Sequence, residues 1–387
     1  MATRDLPQAL ATAPLPAERG RGARFDWATE PSWRELLLLA CFTFLIFFAV
    51  IASVTNFLAL VNNAGDSSAY IDVAEAIGKW DFHAVVVKQF WGLPYVIALV
   101  SFVGHVSGRI ALLLVSIISS LAAVLLAYRL WDGWVASFFA LTNFEWLQRS
   151  LLGGAEPLFM ALLLGGFLAA RRHRWTVAAL LFSFATTVRP LGIFAFVGLA
   201  VVLLYRKRYA ALVWSVMIGG IVGALYALPL FLYFGTPLAN VQAYQQRDWT
   251  GGSLLTLPLI RIVRDLITSR QPWTNRLLIS GWILLVSAGV VLGIRNRCWK
   301  KLIQLYPVEA IFVALYTLFL FTYNSEWARA DFVRFAIPVL PFIFWALEDW
   351  LPRDKRLVWV TGILCSLLAA ASAIGIRNMA EILRNVI

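Results

Sequence analysis

Residues able to move a proton or hold a phosphate are scarce in this chain of 387 residues, and they fall in a pattern. Asp66 and Tyr70 lie in the first sustained polar stretch, GDSSAYIDVAEAIGKWDF, and Lys88 follows shortly after it. Glu156 stands in LLGGAEPLF, Arg189 in TTVRPLG, and Glu326, Arg329, Asp331 and Arg334 share the stretch SEWARADFVRF. A carboxylate such as Asp66 can take the proton of an attacking hydroxyl. Cations such as Lys88, Arg189 and Arg334 can hold a phosphate, arginine through its two-pronged fork. Together they form the minimum apparatus for displacing a group from a lipid-linked phosphate.

Each residue also has a plainer reading that the sequence leaves open. Asp66 precedes a helical repeat, where aspartate is a favoured N-cap. Glu156 comes just before Pro157, as acids do in the first turn of a helix, and Glu309 follows Pro307 in the same way. Lys88, Arg189 and Arg334 can anchor or snorkel at a membrane boundary. Asp72 and Glu75 belong to a solvated stripe, with Lys79 four residues after Glu75.

The elements that must position these residues are membrane spans. Hydrophobic residues make up 61% of the chain and charged residues 14%, with a mean hydropathy of +0.77. A soluble domain carries about a quarter charged residues, so this composition is that of an all-α polytopic membrane protein. The net charge of +12 is spread over short clusters between apolar runs, which orients helices in a bilayer and argues against a nucleic-acid partner. Cys41, Cys298 and Cys365 have no metal-ligand spacing, and His83, His105 and His173 are too scattered for a metal centre. No cofactor is expected, a divalent cation is compatible with the sequence, and nothing in it fixes an oligomeric state.

Residues 1–35 read as a cytoplasmic tail, residues 36–376 as the membrane domain, and residues 377–387 as a C-terminal tail. The first span is predicted from Leu36 to Val61, with Arg19, Arg21, Arg24 and Arg34 before it placing Asp66 outside. Ala69, Tyr70, Val73, Ala74, Ile77 and Trp80 recur at helical spacing and predict an interfacial helix. Leu93 to His105 is too short for a comfortable span. Further spans are predicted at Ile110–Tyr128, Val135–Leu147, Leu151–Ala170, Thr176–Val188, Leu191–Tyr205, Leu212–Phe234, Leu277–Ile294, Pro307–Tyr323, Phe335–Trp350 and Leu357–Ile376. The basic loops at Arg171–Arg174 and Arg206–Arg208 belong inside. Parity then requires Leu93–His105 to lie on the surface as a second interfacial helix, giving about eleven spans. Residues 62–109 and 235–276 become the large external loops.

These pieces resemble the GT-C superfamily of polytopic glycosyltransferases, above all the bacterial relatives of protein O-mannosyltransferases and aminoarabinose transferases. The matching stretches are GDSSAYIDVAEAIGKWDF, FWGLPYVIALVSFVG, GGAEPLFMALLLGGFLAARRHRW, TTVRPLG and RFAIPVLP, from about Trp33 to Trp350. The resemblance implies a GT-C-like fold, a polyprenyl-phosphate sugar as donor, Asp66 as catalytic acidic residue, and Lys88 against the donor phosphate. It also implies inversion at the anomeric carbon and a lipid, glycan or protein acceptor. The chain departs from the family in having a single Asp after Gly65 rather than an adjacent acidic pair. The rival expectations are a flippase for a lipid-linked glycan, which needs polar residues deep within spans, and a non-catalytic membrane scaffold.

Overall fold

The computed structural model describes residues 27–63, 66–82, 88–248, 255–260, 263, 267, 273–323 and 332–386. Every regular element among them is a helix, and the one β-type contact is an isolated bridge between Leu255 and Tyr323. Four helices are long and apolar enough to cross a membrane, or six if each of two bent pairs is one span. The protein is an all-α membrane protein.

Helix α1 (Trp33–Val54) opens with a capping box: Ser32 Oγ accepts from the Glu35 amide, and Glu35 accepts from the Ser32 amide at 2.7 Å. The predicted single helix from Leu36 to Val61 is broken. Asn56 Oδ1 accepts from the Leu58 amide at 3.0 Å and starts a separate helix, α2 (Phe57–Asn63). A local side-chain bond of this kind competes with the helical ladder. Helices α3 (Ser67–Lys79) and α4 (Gly92–Gly104) occupy the two stretches expected at the interface. At thirteen residues each they are short of the ~20 that a span needs.

After α5 (Gly108–Leu130), the predicted helix Val135–Leu147 is replaced by α6 (Gly133–Leu141) and α7 (Phe144–Leu152). The break falls at Asn143, whose Oδ1 accepts from the Trp146 amide at 3.1 Å. A bend of 105° then separates α7 from α8 (Ala155–Arg171). Next come α9 (Trp175–Val188), α10 (Ile193–Tyr205), α11 (Tyr209–Phe234) and α12 (Ala239–Asp248). Helix α13 (Trp273–Arg295) bends by 77° into α14 (Cys298–Leu305), and α15 (Pro307–Thr322) follows. The expected span Phe335–Trp350 is divided into α16 (Phe332–Ala336), a 3-10 turn and α17 (Leu340–Ala346). Pro338 and Pro341 lie at that break, and proline has no amide hydrogen to continue a ladder. Finally α18 (Lys355–Val386) runs helical past Ile376, where hydropathy ends the last span.

One large apolar core joins most of these helices, with Phe139, Phe159, Phe167, Phe312 and Phe342 fully buried in it. Ion pairs fasten one end of the bundle. Lys355 Nζ lies 2.8 Å from Glu35, and Arg171 Nε lies 2.8 Å from Glu309. The Arg171 guanidinium also stacks 3.6 Å from the centre of the Tyr306 ring and donates to the Leu130 carbonyl. Glu309 is therefore a structural partner, as its place after Pro307 suggested. The remaining acids and arginines of interest lie at the other end.

Candidate active site

A two-glycine turn builds the site. Gly153 has φ +86°, a conformation costly for any residue with a Cβ, and it lets the chain reverse between α7 and α8. At Gly154 a Cβ would stand 2.7 Å from Glu156 Oε2 and 2.9 Å from Arg149 Cδ, so the absence of a side chain lets these two groups close on each other. Ser67, fully buried, donates from Oγ to the carbonyls of Leu152 and Gly153 at 3.0 and 2.9 Å. The first residue of α3 is thus pinned to the turn, and Asp66 arrives beside Glu156.

Asp66 occupies the N-cap position of α3, yet its carboxylate makes no capping hydrogen bond. It turns away from the helix. Arg334 Nη2 approaches Asp66 Oδ2 at 3.1 Å, and Gln89 Nε2 donates to Oδ1 at 3.2 Å. Arg334 continues from Nε to Glu156 Oε1, and Arg189 Nη2 reaches the same oxygen. Residues on α8, at the end of α9, on α16 and at the head of α3 meet here, though as many as 268 positions separate them in the chain. Arg189 additionally lies over the Phe335 ring, 5.5 Å from its centre.

Burial is uneven across the cluster, and that decides which group a substrate can reach. Glu156 is 1% exposed and Arg334 8%, whereas the Asp66 side chain is 35% exposed. Burial pushes the Asp66 carboxyl up, but Arg334 and behind it Arg149 pull harder, and the carboxyl sits below its ordinary range. It is a carboxylate at neutral pH. Several polar atoms are buried without a hydrogen-bond partner: Arg149 Nε, Arg189 Nε, Glu156 Oε2 and Gln89 Oε1.

Of the residues singled out in the sequence, Asp66, Glu156, Arg189 and Arg334 are brought into direct contact. Tyr70 is buried in the core within electrostatic reach of Arg334. Lys88 is half-buried, and its neighbour Gln89 is the residue joined to Asp66. Arg329 and Asp331 lie outside the described residues. Two contributors carried no functional signal in the sequence. Arg149 is a single charge between apolar runs in the sequence, yet it sits near both carboxylates and bonds Glu145 at 3.4 Å. Gln89 is uncharged and stands beside the more conspicuous Lys88.

Among the described residues no group of three or more His, Cys, Asp or Glu side chains could hold a metal ion. A search of protein-family models and a search of curated proteins both return no match.

Proposed function

We propose that this protein is a GT-C-type inverting glycosyltransferase that moves a sugar from a polyprenyl-phosphate donor to a lipid, glycan or protein acceptor. The observation that carries the reading is the Asp66 carboxylate, which stands at a helix N-cap, forgoes the cap, and instead faces Arg334 at the accessible edge of a buried arginine–carboxylate cluster.

On this reading the acceptor hydroxyl attacks the anomeric carbon as the bond from that carbon to the phosphate oxygen breaks. Polyprenyl phosphate departs, and the hydroxyl proton passes to Asp66. A carboxylate held below its ordinary range is a weak base, so Asp66 first accepts the hydroxyl's hydrogen bond and takes the proton late, as bond formation makes the hydroxyl acidic. Arg149 and Arg189, whose positive charges lie beside Glu156 behind the exposed edge, are suited to offset the charge that develops on the leaving phosphate. Lys88 is assigned to the same phosphate; Arg334, expected from the sequence as a third phosphate-binding cation, is assigned instead to holding the two carboxylates, because its Nε and Nη2 already bond Glu156 and Asp66.

The proposal includes about eleven crossings, α6 with α7 and α16 with α17 each counting as one, with α3 and α4 lying on the surface. It puts the site on the exterior face of the cytoplasmic membrane, opposite the basic loops at Arg171–Arg174 and Arg206–Arg208. The distribution of buried charge supports an enzyme over a flippase. Among the described residues the buried acidic and basic side chains are Glu156, Glu309, Arg334 and Lys355, all near helix ends.

Purified protein incubated with radiolabelled polyprenyl-phosphate sugars tests the reading. Transfer by the wild type, reduced at least about a hundredfold in Asp66→Asn, is the expected result. Undiminished transfer by Asp66→Asn removes Asp66 from the chemistry, and no transfer from any donor overturns the enzyme reading.

A further inference from the structure

Gln89 lies 5% exposed, just before the start of α4, and holds Asp66 from the side opposite Arg334's grip on the other oxygen. Its amide is committed to that one task. Nε2 donates to Asp66 Oδ1, while Oε1 is buried with no partner, an arrangement that a residue chosen for packing alone would not favour. The Gln89 backbone is held in turn. Its carbonyl accepts from Asn240 Nδ2 at 2.5 Å, and Asn240, 2% exposed on α12, accepts at Oδ1 from the Tyr226 hydroxyl at 3.1 Å. Tyr226 of α11 also accepts from the Trp91 amide at 3.5 Å, two residues after Gln89. At Gly92, a Cβ would lie 2.5 Å from the Thr187 backbone, so the start of α4 is also pressed against the end of α9 that carries Arg189.

We propose that Gln89 is a positioning residue for Asp66, and that Asn240 and Tyr226 form with it a relay through which α11 and α12 set the direction of the Asp66 carboxylate. Arg334 alone can grip the carboxylate but leaves it free to turn about that contact. A second donor, on the other oxygen, removes this freedom and aims the remaining lone pairs at the exposed edge. The relay is built from neutral groups, so it orients the carboxylate without neutralising it. This inference rests on the catalytic role proposed for Asp66, and it concerns residues that role does not require.

Among the described residues the charged and titratable groups around Asp66 include Arg334 on α16, Arg149 on α7, Glu156 on α8, Arg189 at the end of α9 and, near Arg334, Tyr70 on α3, with Lys88 next to Gln89 in the chain. None changes in variants at Gln89 or Asn240. With full-length protein in lipid nanodiscs, Gln89→Leu is expected to lower kcat about tenfold to a hundredfold with little change in KM for the donor. Asn240→Ala should move kcat the same way by less. Gln89→Glu, nearly the same size, puts a second carboxylate against Asp66; the pair then shares a proton, and the acidic limb of the pH–rate profile rises by about one unit or more. An infrared titration of the Asp66 carboxylate, identified by its loss in Asp66→Asn, reads the same shift without turnover. If Gln89→Leu keeps the wild-type kcat, or Gln89→Glu leaves both the pH limb and the infrared titration unmoved, the inference fails. Should the wild type transfer no sugar at all, the enzyme reading fails instead, and the infrared titration still decides whether Gln89 governs Asp66.

Discussion

At the scale of single residues, one shared oxygen carries the most weight. Glu156 Oε1 receives both Arg189 and Arg334, and all three side chains are largely or wholly buried. Removing one partner of a buried ion pair strands the other, at a cost of about 3–5 kcal/mol. Glu156→Gln, which takes the carboxylate away from Arg189 and leaves Arg334 paired with Asp66, is therefore expected to lower the thermal unfolding midpoint sharply in detergent. Asp66→Asn, at the exposed edge, should lower it far less. Acid dependence follows from the sign of the Asp66 shift. Its folded-state carboxyl lies below the ordinary value of 3.8, so its contribution to stability is complete above that value and disappears as pH falls through the lower folded one. Unfolding midpoints of wild type and Asp66→Asn should run parallel from pH 5 to pH 8 and converge in stronger acid. Divergence within the neutral range would contradict the assignment.

At the scale of elements, the turn between α7 and α8 sets the geometry. Gly154→Ala puts a methyl within 3 Å of both Glu156 and Arg149, and overpacking of this kind costs about 1–3 kcal/mol. The proposed transfer activity should fall by more than that stability loss explains, because the displaced groups are the site itself. A variant with Gly154→Ala and full activity would mean that the Arg149–Glu156 approach is dispensable. Much of this end of the molecule was legible beforehand. Helical spacing from Ala69 to Trp80 gave α3, and charge parity put Asp66, Glu156, Arg189 and Arg334 on one side. Hydropathy, however, averages over a window and cannot see a single side chain bonding its own backbone. The breaks at Asn56 and Asn143 therefore read as continuous spans. Gln89 and Arg149 are not legible in the sequence because their meaning lies in contacts across the fold. An uncharged amide between Lys88 and Phe90 carries no mark until Asp66, 23 positions earlier, stands beside it.

At the scale of the whole molecule, the proposed orientation has a direct test. In a background with Cys41, Cys298 and Cys365 replaced, Lys79→Cys at the end of α3 should react with an impermeant maleimide in intact cells. Arg297→Cys, at the start of α14, should react only after permeabilisation. The reverse pattern would invert the topology and move the site to the cytoplasm.

The double fastening of α8 has a mechanical consequence. One end is tied through Arg171 to α5 and α15, the other through Glu156 to Arg189 and α16. A post nailed at both ends cannot tilt without breaking a buried ion pair. The flank made by α4, α11 and α12 is joined to the site by neutral hydrogen bonds, and only 6% of the apolar stretch of α11 is buried. Breathing of the bundle should therefore open on that flank, as a door hung on a fixed jamb. Amide hydrogen exchange, slowest along α8 and faster along α11 and α12, is the expected record of it.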